Sequence, residues 1–418
     1  MSMRIVQVML CALFVLMPAA CSDRPDSIQA LKALPGGTAD IDTSRFPFFF
    51  DERFEQSAVA GVPSIRFVRK AKTGSLPKAV AVSPEGSTLF VTNFGRVKSW
   101  NMFVFNAATL ERADTIAFEG NGVEMAFVPG SGRLLVSNFR MNKVQEIDTE
   151  TLETVRSWPV GRNPKTIAVS ADGKRAYVSN WTSDSITALD LVSGKVVGSV
   201  HTGNQPRGIA VSPDGRTLYV SNCAGGSLVR VDAEKLEITG TLTFSKGKPT
   251  GPRHVALSPD GRRVYVTVQK LAALFVVDAE AMKIIGRAHT GAGPKTVDIT
   301  PDGRFGFTAN FSMSSITAVN LATMESRTFP QPVLKRACGL DISPDGSKLY
   351  VTGWKAGLLA EYAITYPDNA MVLRASAAPA LRAGQAWPAW CCAPSGRQWG
   401  TPRACSTILS TNDDLRLQ

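Results

Sequence analysis

Short runs in which every second residue is hydrophobic alternate along this chain with turns rich in Asp, Gly, Ser and Asn. The pattern is clearest between residues 161 and 203. Four runs occur there, at residues 166–169, 176–179, 185–189 and 195–201, and the first turn between them reads Ser-Ala-Asp-Gly. Period-two alternation broken by Asp-Gly turns predicts four β-strands joined as an antiparallel meander.

The same unit recurs along the chain, and the residue that begins its first strand fixes the register. The equivalent positions are Pro77, Gly122, Pro164, Pro206, Pro252, Pro294 and Ala337, with spacings of 45, 42, 42, 46, 42 and 43 residues. A period of this size, with four strands in each unit, is that of a β-propeller blade. The sequence therefore predicts an all-β fold, a seven-bladed β-propeller of four-stranded antiparallel blades.

The last blade is short of one strand. Residues 340–366 provide only three strands, whereas residues 64–72 precede the first blade as a fourth strand precedes the next blade elsewhere. Unpaired strand edges are avoided in folded proteins, and propellers close their ring by pairing the two ends. We therefore expect the N-terminal strand to complete the last blade, with residues 65–69 hydrogen-bonded to its third strand.

Two short motifs in the repeats carry a family resemblance. Tyr-Val-Ser-Asn occurs at residues 177–180 and 219–222, and Ser-Pro-Asp-Gly precedes the second strand at residues 212–215 and 343–346. These motifs resemble the YVTN β-propeller repeat family over roughly residues 64–366. The resemblance implies the fold but leaves the function open, because similar propellers serve as lactonases, as haem d1 or quinone enzymes and as binding scaffolds.

The two ends of the chain differ from the repeats. Residues 1–20, with Arg4 before a short apolar run and small residues before Cys21, are typical of a secretory signal peptide. Cys21 resembles the lipidated cysteine of bacterial lipoproteins. We expect residues 21–58 to be a tether, 59–366 the propeller and 367–418 a disordered tail. The expected location is the periplasmic side of the bacterial outer membrane, or the periplasm or exterior if Cys21 carries no lipid.

The net charge is positive, at +11, with 46 Lys and Arg against 35 Asp and Glu. On an exported protein this excess favours an anionic envelope component, a small anionic ligand or another envelope protein as the partner. A solubilising charge without a partner is the alternative. Nucleic acid is not expected in that compartment, and contact with the membrane is expected only through the lipid anchor.

Two registers bring chemistry to one end of the propeller, because the links from strand four to one and from strand two to three lie on the same face of a meander. The residue after the one that begins the first strand is basic in five blades, at Lys78, Lys165, Arg207, Arg253 and Lys295. The residue after the second strand is aromatic in five blades, at Phe94, Phe139, Trp181, Phe311 and Trp354. Cations within a ring of exposed aromatics suit a planar or sugar-like ligand with a carboxylate or phosphate, or a protein partner. Alternatively, the cations pair with acids of the next blade and the aromatics cover the blade interfaces.

Four further residues on the first strands are weaker candidates for acid–base catalysis. Asp298 and Asp341 stand where the other five blades have alanine, and Glu124 and His254 stand two residues earlier in their own blades. Such groups can transfer protons or hold a cation, although buried acids are more often satisfied by backbone or Lys.

The residues available as ligands do not favour a metal site or a cofactor site. No Cys or His pair has metal-ligand spacing, and one central His with two Asp is a poor set for haem d1 or a quinone. Cys223 and Cys338 fall three blades apart, so no disulfide between them is expected. The sequence favours a non-catalytic binding protein of the cell envelope, with a lactonase-like hydrolase or a cofactor-binding propeller enzyme as alternatives.

Overall fold

The computed structural model describes residues 61–95, 101–245 and 250–367. The expected signal peptide, Cys21, the tether up to residue 58 and the tail from residue 368 lie outside these ranges. All the described residues fall in one compact unit. Within them, no helix has the length and apolarity needed to cross a membrane.

The described part of the chain consists almost entirely of β-strands. They are β1 (Ser64–Lys72), β2 (Pro77–Val82), β3 (Thr88–Asn93), β4 (Met102–Asn106), β5 (Arg112–Ile116), β6 (Gly122–Val128), β7 (Arg133–Asn138), β8 (Lys143–Asp148), β9 (Thr154–Pro159), β10 (Pro164–Val169), β11 (Arg175–Asn180), β12 (Ser185–Asp190), β13 (Lys195–His201), β14 (Pro206–Val211), β15 (Thr217–Asn222), β16 (Ser227–Asp232), β17 (Glu237–Thr243), β18 (Pro252–Leu257), β19 (Arg263–Val268), β20 (Ala273–Asp278), β21 (Lys283–His289), β22 (Pro294–Ile299), β23 (Phe305–Asn310), β24 (Ser315–Asn320), β25 (Ser326–Pro330), β26 (Ala337–Ile342), β27 (Lys348–Gly353) and β28 (Leu358–Thr365). Two short 3₁₀ turns, Gln269–Leu271 and Pro332–Leu334, interrupt the links between them.

The strands form seven antiparallel sheets of four, which we number as blades 1 to 7. Blades 1 to 6 are β2–β5, β6–β9, β10–β13, β14–β17, β18–β21 and β22–β25, and blade 7 is β26, β27, β28 and β1. The first strands of successive blades pack side by side, and β26 packs against β2 in the same way. The seven-bladed propeller predicted from the repeats is confirmed.

The chain's first strand closes the ring. β1 runs antiparallel to β28, with Ile65 opposite Ile364 and Arg69 opposite Glu361. The Arg69 guanidinium also donates a hydrogen bond to the Glu361 carboxylate, with a distance of 2.6 Å from Nε to Oε2. The predicted completion of the last blade by residues 65–69 is therefore confirmed.

Blades hold together through hydrophobic cores that lie between neighbours. One such core joins Trp158 and Val144 of blade 2 to Val178 and Leu189 of blade 3. The second strand of a blade is almost wholly buried, as in β11, whereas the fourth is largely exposed, as in β13. A single meander could not bury both of its faces, which explains in physical terms why the sequence repeats.

The Asp-Gly turns between first and second strands are held by a side-chain carboxylate. Asp172 accepts hydrogen bonds from the Ser170 hydroxyl at 2.6 Å and from the Lys174 amide at 3.0 Å. Gly173 has a φ of +69°, a conformation that residues with a side chain rarely adopt. The equivalent hydroxyl-to-Asp hydrogen bonds recur in blades 4 to 7.

A bulge in each first strand positions the basic residues. In blade 3 the pairing with the second strand shifts register between Pro164 and Ile167. The Ser179 hydroxyl fills this gap, since it accepts from the Thr166 amide at 3.1 Å and donates to the Arg207 carbonyl of blade 4 at 2.8 Å. The same amide-to-hydroxyl hydrogen bond occurs with Thr92, Ser137, Ser221, Thr267 and Thr352. Bulges redirect side chains, and this one takes Lys165 and its equivalents out of the ladder at the mouth of the channel.

Candidate functional site at the channel mouth

The five predicted cations share one end of the channel, which we call the mouth. Lys78, Lys165 and Lys295 are buried, with 5%, 7% and 9% of their surface exposed, and Arg207 and Arg253 are half-buried. Burial, together with the charge of Arg207, lowers the pKa of Lys165 to about 6. Burial also lowers the pKa of Lys295 to about 7, and that of Arg253 to about 9, again with a contribution from Arg207. The cations are therefore close enough to disfavour one another's charge.

The mouth contains little negative charge to balance these cations. Among the described residues, Lys78 is the only one of the five with a carboxylate within 4.0 Å, and its Nζ lies 2.6 Å from Oε1 of Glu124 in blade 2. Burial opposes the ionisation of Glu124, but Lys78 and His254 together lower its pKa below the usual range. Within the part of the chain that the structure describes, pairing with the next blade, the alternative that the sequence left open, thus holds for Lys78 and for none of the other four.

The five aromatic residues form one continuous series of ring contacts, which we call the aromatic arc. In ring order they are Phe311, Trp354, Phe94, Phe139 and Trp181, contributed by blades 6, 7, 1, 2 and 3. The centroids of successive rings are 6.3, 5.7, 5.5 and 6.2 Å apart. The sequence predicted exposed aromatics, but all five are half-buried because each packs on its neighbours.

Two of the lysines lie against the rings of this arc. Lys165 Nζ is 4.1 Å from the ring centre of Phe139 and 4.8 Å from that of Trp181. Lys295 Nζ is 3.9 Å from Phe311 and 4.9 Å from Trp354. The rings cover these lysines, which is why their exposure is so low, and the attraction between ammonium and ring partly offsets the cost of burial.

The aromatic arc is interrupted at blades 4 and 5, where Cys223 and Gln269 occupy the aromatic register. We call this interval the break. Gln269 accepts a hydrogen bond from Nη1 of Arg253 at 2.5 Å. Arg207, from blade 4, makes no ion pair or side-chain hydrogen bond with any residue in the described ranges. The mouth is thus walled by aromatic rings on five blades and by two arginines and small or polar side chains on the other two.

Three buried polar atoms around the mouth lack a hydrogen-bond partner among the described residues. They are Nε1 of Trp181, Nε of Arg253 and Nδ1 of His254. Burial lowers the pKa of His254, against the opposing effect of Glu124, so its imidazole is neutral at pH 7. Buried polar atoms without partners are uncommon in folded proteins and call for an explanation.

Asp298 and Asp341 are brought together, as the sequence suggested, but backbone amides satisfy them. Asp341 accepts hydrogen bonds from the Val82 amide at 2.7 Å and from the Ile342 amide at 3.1 Å. Asp298 accepts from the Ile299 amide at 2.8 Å and from the Ile342 amide at 3.0 Å. Burial raises the pKa of both carboxyl groups, and the charge of Asp298 raises that of Asp341 further. The pair ties the first strands of blades 6, 7 and 1 together.

The described residues contain no group of three or more His, Cys, Asp and Glu side chains that could hold a metal ion. Cys223 and Cys338 are both free thiols. Of the histidines, His201 and His289 end the outer strands β13 and β21, whereas His254 lies on a first strand.

Two features of the site were not predicted from the sequence. Arg336, in the link before β26, places its guanidinium 5.2 Å from the ring centre of Phe311. The hydroxyl before the end of each second strand supports the bulge, and its signal was visible as Ser or Thr at that position in six blades. Blade 6 has Ala309 instead, and there the Thr296 hydroxyl donates to the Cys338 carbonyl of blade 7 at 2.7 Å.

Comparisons with known proteins place this chain among repeat propellers. The family model for YNCE-like β-propellers matches residues 54–212, and the model for seven-bladed β-propeller lactonases matches residues 227–337. No curated protein sequence matches the chain. With the seven observed blades, the two family matches confirm the resemblance to YVTN-type propellers.

Solved structures share the fold at low sequence identity. A chain of the mitotic checkpoint complex aligns with a TM-score of 0.62 and 14% identity, covering 72% of this chain and 93% of that one. The β-propeller domain of Cps50 (Swd1) from Myceliophteria thermophila aligns with a TM-score of 0.62 and 13% identity, covering 72% of this chain and all of that one. At these identities the likeness concerns the fold alone.

Proposed function

For this seven-bladed β-propeller of the YVTN type, we propose a role as an exported, lipid-anchored cell-envelope protein that binds a small anionic ligand at the channel mouth. The observation that carries the proposal is the meeting of five cations, of which only Lys78 has a carboxylate partner within the described ranges. Unbalanced buried charge is costly to a fold, and a bound oxyanion removes that cost. Burial and the neighbouring cations accordingly lower the pKa of Lys165 to about 6 and that of Lys295 to about 7.

The burial of the cations favours a small ligand over a protein partner. A protein surface would meet the rings of the aromatic arc, while Lys165 and Lys295 lie beneath them. A carboxylate or phosphate group on a small molecule can enter where the aromatic arc is interrupted and reach several cations at once. Convergent charged groups with perturbed pKa values are typical of ligand sites.

Anion binding is tested with the double variant Arg207→Ala/Arg253→Ala and with citrate as the probe. We expect titration calorimetry to give at least about tenfold weaker citrate binding, since each arginine contributes a charge-assisted hydrogen bond. The loss should shrink as NaCl rises and screens the charges. The matched control is Lys195→Ala/Lys283→Ala, which removes the same charge from exposed positions on the outer strands. Equal effects of the two double variants, or no citrate binding by the parent, would contradict the proposal.

Export and anchoring rest on residues 4–21 of the sequence. A lipid on Cys21 supplies a membrane affinity that the tether lacks. Replacing Cys21 by Ser should move the protein from the membrane fraction to the soluble fraction while leaving its thermal unfolding unchanged. Unaltered fractionation of the Ser variant would count against lipidation without affecting the proposal of anion binding.

A lactonase-like hydrolase is the second candidate function. It is favoured by the lactonase family match over residues 227–337 and by the grouping of Glu124 and His254 at the mouth. Its test is hydrolysis of δ-valerolactone followed in a pH-stat. Hydrolysis that Glu124→Gln or His254→Ala abolishes would establish this candidate, and a rate equal to that of buffer would remove it.

A further inference from the structure

Building on the proposed anion binding, we propose that the oxyanion sits in the break of the aromatic arc, between Arg207 and Arg253, and that the rest of the ligand carries a ring that lies across the mouth against the arc. The ligand class is therefore a ring-bearing oxyanion, held in one orientation. This inference adds to the proposed function a position for the charged group and a role for the rings.

The cations of the mouth differ in how available they are. Lys165 and Lys295 each face two aromatic rings, and Lys78 is paired with Glu124. Arg207 has none of these contacts within the described residues, although its charge lowers the pKa of both Lys165 and Arg253. It therefore lies between its neighbours on either side with its donors unused, which is where an oxyanion gains most.

The unpaired polar atoms flank the same place. Nε1 of Trp181 comes from blade 3, and Nε of Arg253 and Nδ1 of His254 come from blade 5, on the two sides of Arg207 in blade 4. Gln269 holds Nη1 of Arg253, so the guanidinium is fixed while its Nε remains unused. Two arginines and an indole N–H are donors suited to the oxygens of a carboxylate, phosphate or sulfonate.

Buried side-chain atoms without a partner also occur elsewhere in the described ranges, at Oδ1 of Asn180, Oγ1 of Thr250 and the hydroxyl of Tyr362. Oδ1 of Asn180 is an acceptor, which an oxyanion cannot satisfy, and Tyr362 lies in the core of blade 7. The unpaired nitrogens that always carry a hydrogen are Nε1 of Trp181 and Nε of Arg253.

The rest of the ligand meets the arc. A molecule whose charged group lies at blades 4 and 5 can extend over the mouth, where rings from the other five blades form the wall. Contact with aromatic side chains is typically worth about 1 kcal/mol beyond the apolar area buried, or roughly fivefold in affinity. A ring should therefore raise the affinity of a ligand whose charged group is held by the arginines.

The experiment compares single variants by titration calorimetry with benzenesulfonate, a ring-bearing oxyanion that stays ionised at neutral pH. Arg207→Gln removes the free guanidinium, and Trp181→Phe keeps the ring but removes the N–H. Lys295→Gln removes the same charge from beneath the arc, and Lys195→Gln removes it from the outer edge. Thermal unfolding of each variant checks that the fold is retained.

We expect Arg207→Gln and Trp181→Phe to weaken benzenesulfonate binding by at least about tenfold each, because hydrogen bonds to a charged group are lost. Lys295→Gln should weaken it by about threefold or less and Lys195→Gln should leave it unchanged. A loss for Lys295→Gln as large as that for Arg207→Gln would place the oxyanion under the arc and overturn this inference, while the proposed function would stand. Failure of the parent to bind benzenesulfonate would overturn this inference, and failure to bind citrate would remove the proposed function as well.

Methanesulfonate tests the ring. It carries the same charge and oxyanion without a ring, so it should show the same dependence on Arg207 with a several-fold lower affinity in the parent. Equal affinities of the two sulfonates would contradict a role of the aromatic arc in ligand binding.

Discussion

Two groups of like charge are buried on the first strands of this propeller, the cations of the mouth and the carboxyl groups of Asp298 and Asp341. Only the carboxyl groups all have hydrogen-bond partners among the described residues. Each of the two Asp side chains accepts two backbone N–H hydrogen bonds. Burial raises the pKa of both carboxyl groups, and Asp298 raises that of Asp341 further, which favours a shared proton over two buried negative charges. The five basic residues of the first strands have one carboxylate partner among the described residues, Glu124.

This difference separates a structural role from a binding role. In the sequence, a charged residue on a first strand looks the same whether its role is structural or in binding. At Asp341 the protein itself supplies every partner, and the result is a link between blades. At Arg207 and Arg253 donors are left over, and the partner has to come from outside the described residues. Unsatisfied buried groups therefore mark the functional member of the two.

The largest expected effect is on stability, and it tests the structural role of the Asp298–Asp341 pair. Asp341→Ala should lower the free energy of unfolding by about 3 kcal/mol, because the amides of Val82 and Ile342 lose a buried acceptor. Asp341→Asn keeps the shape and an acceptor oxygen and should cost less than about 1 kcal/mol. Urea unfolding at pH 6 measures both variants. An Ala variant as stable as the parent would show that the pair is not a link between blades.

The next effect has the opposite sign and tests the mouth. Lys165→Met should raise the free energy of unfolding at pH 7 by about 2 kcal/mol, because the buried lysine has to give up its proton in the folded protein and methionine has none to lose. Since the unfolded chain binds a proton to this lysine that the folded protein releases, the parent should gain stability as pH rises from about 6, the pKa in the folded protein, towards about 10. The variant should lack this gain. Urea midpoints between pH 6 and 9 give both values, and a destabilised Met variant would mean that Lys165 is a structural strut.

A smaller effect separates the two groups by pH. The folded protein retains a proton on the Asp298–Asp341 pair that the unfolded chain releases above about pH 4. The contribution of the pair to stability is therefore present at low pH and is lost as pH rises through the raised pKa. Asp341→Asn should make the stability of the protein less dependent on pH above about 4, by about 1 kcal/mol or less. Identical pH profiles for parent and variant would contradict the shared proton.

The fold was predictable because one register repeats seven times. The repeated position that begins each first strand, from Pro77 to Ala337, indicated the number of blades. The additional strand at residues 64–72 indicated how the ring closes. Local chemistry such as the Asp172–Gly173 turn followed from the residue types alone. These features depend on neighbours in sequence or on a period, both of which a single chain displays.

The candidate site was predictable in its members but not in their environment. The two registers named Lys165 and Trp181, yet the burial of Lys165 depends on a bulge filled by Ser179 and on rings from two blades. The interruption at Cys223 and Gln269 was visible in the sequence, although its meaning required the ring contacts. That Arg207 has no side-chain partner among the described residues is a property of packing around the whole mouth, which no local pattern encodes.

The central claim is that the cations of the mouth lack a counterion among the described residues. Proton uptake on anion binding tests this claim most directly. Benzenesulfonate itself takes up no proton at pH 7, so titrations in two buffers of different ionisation enthalpy report protons bound by the protein alone. An oxyanion at the mouth raises the pKa of Lys165 and Lys295 from about 6 and about 7. We therefore expect an uptake of about one proton for each anion bound at pH 7, and a smaller uptake in Lys165→Met. Binding with the same heat in both buffers would contradict the claim.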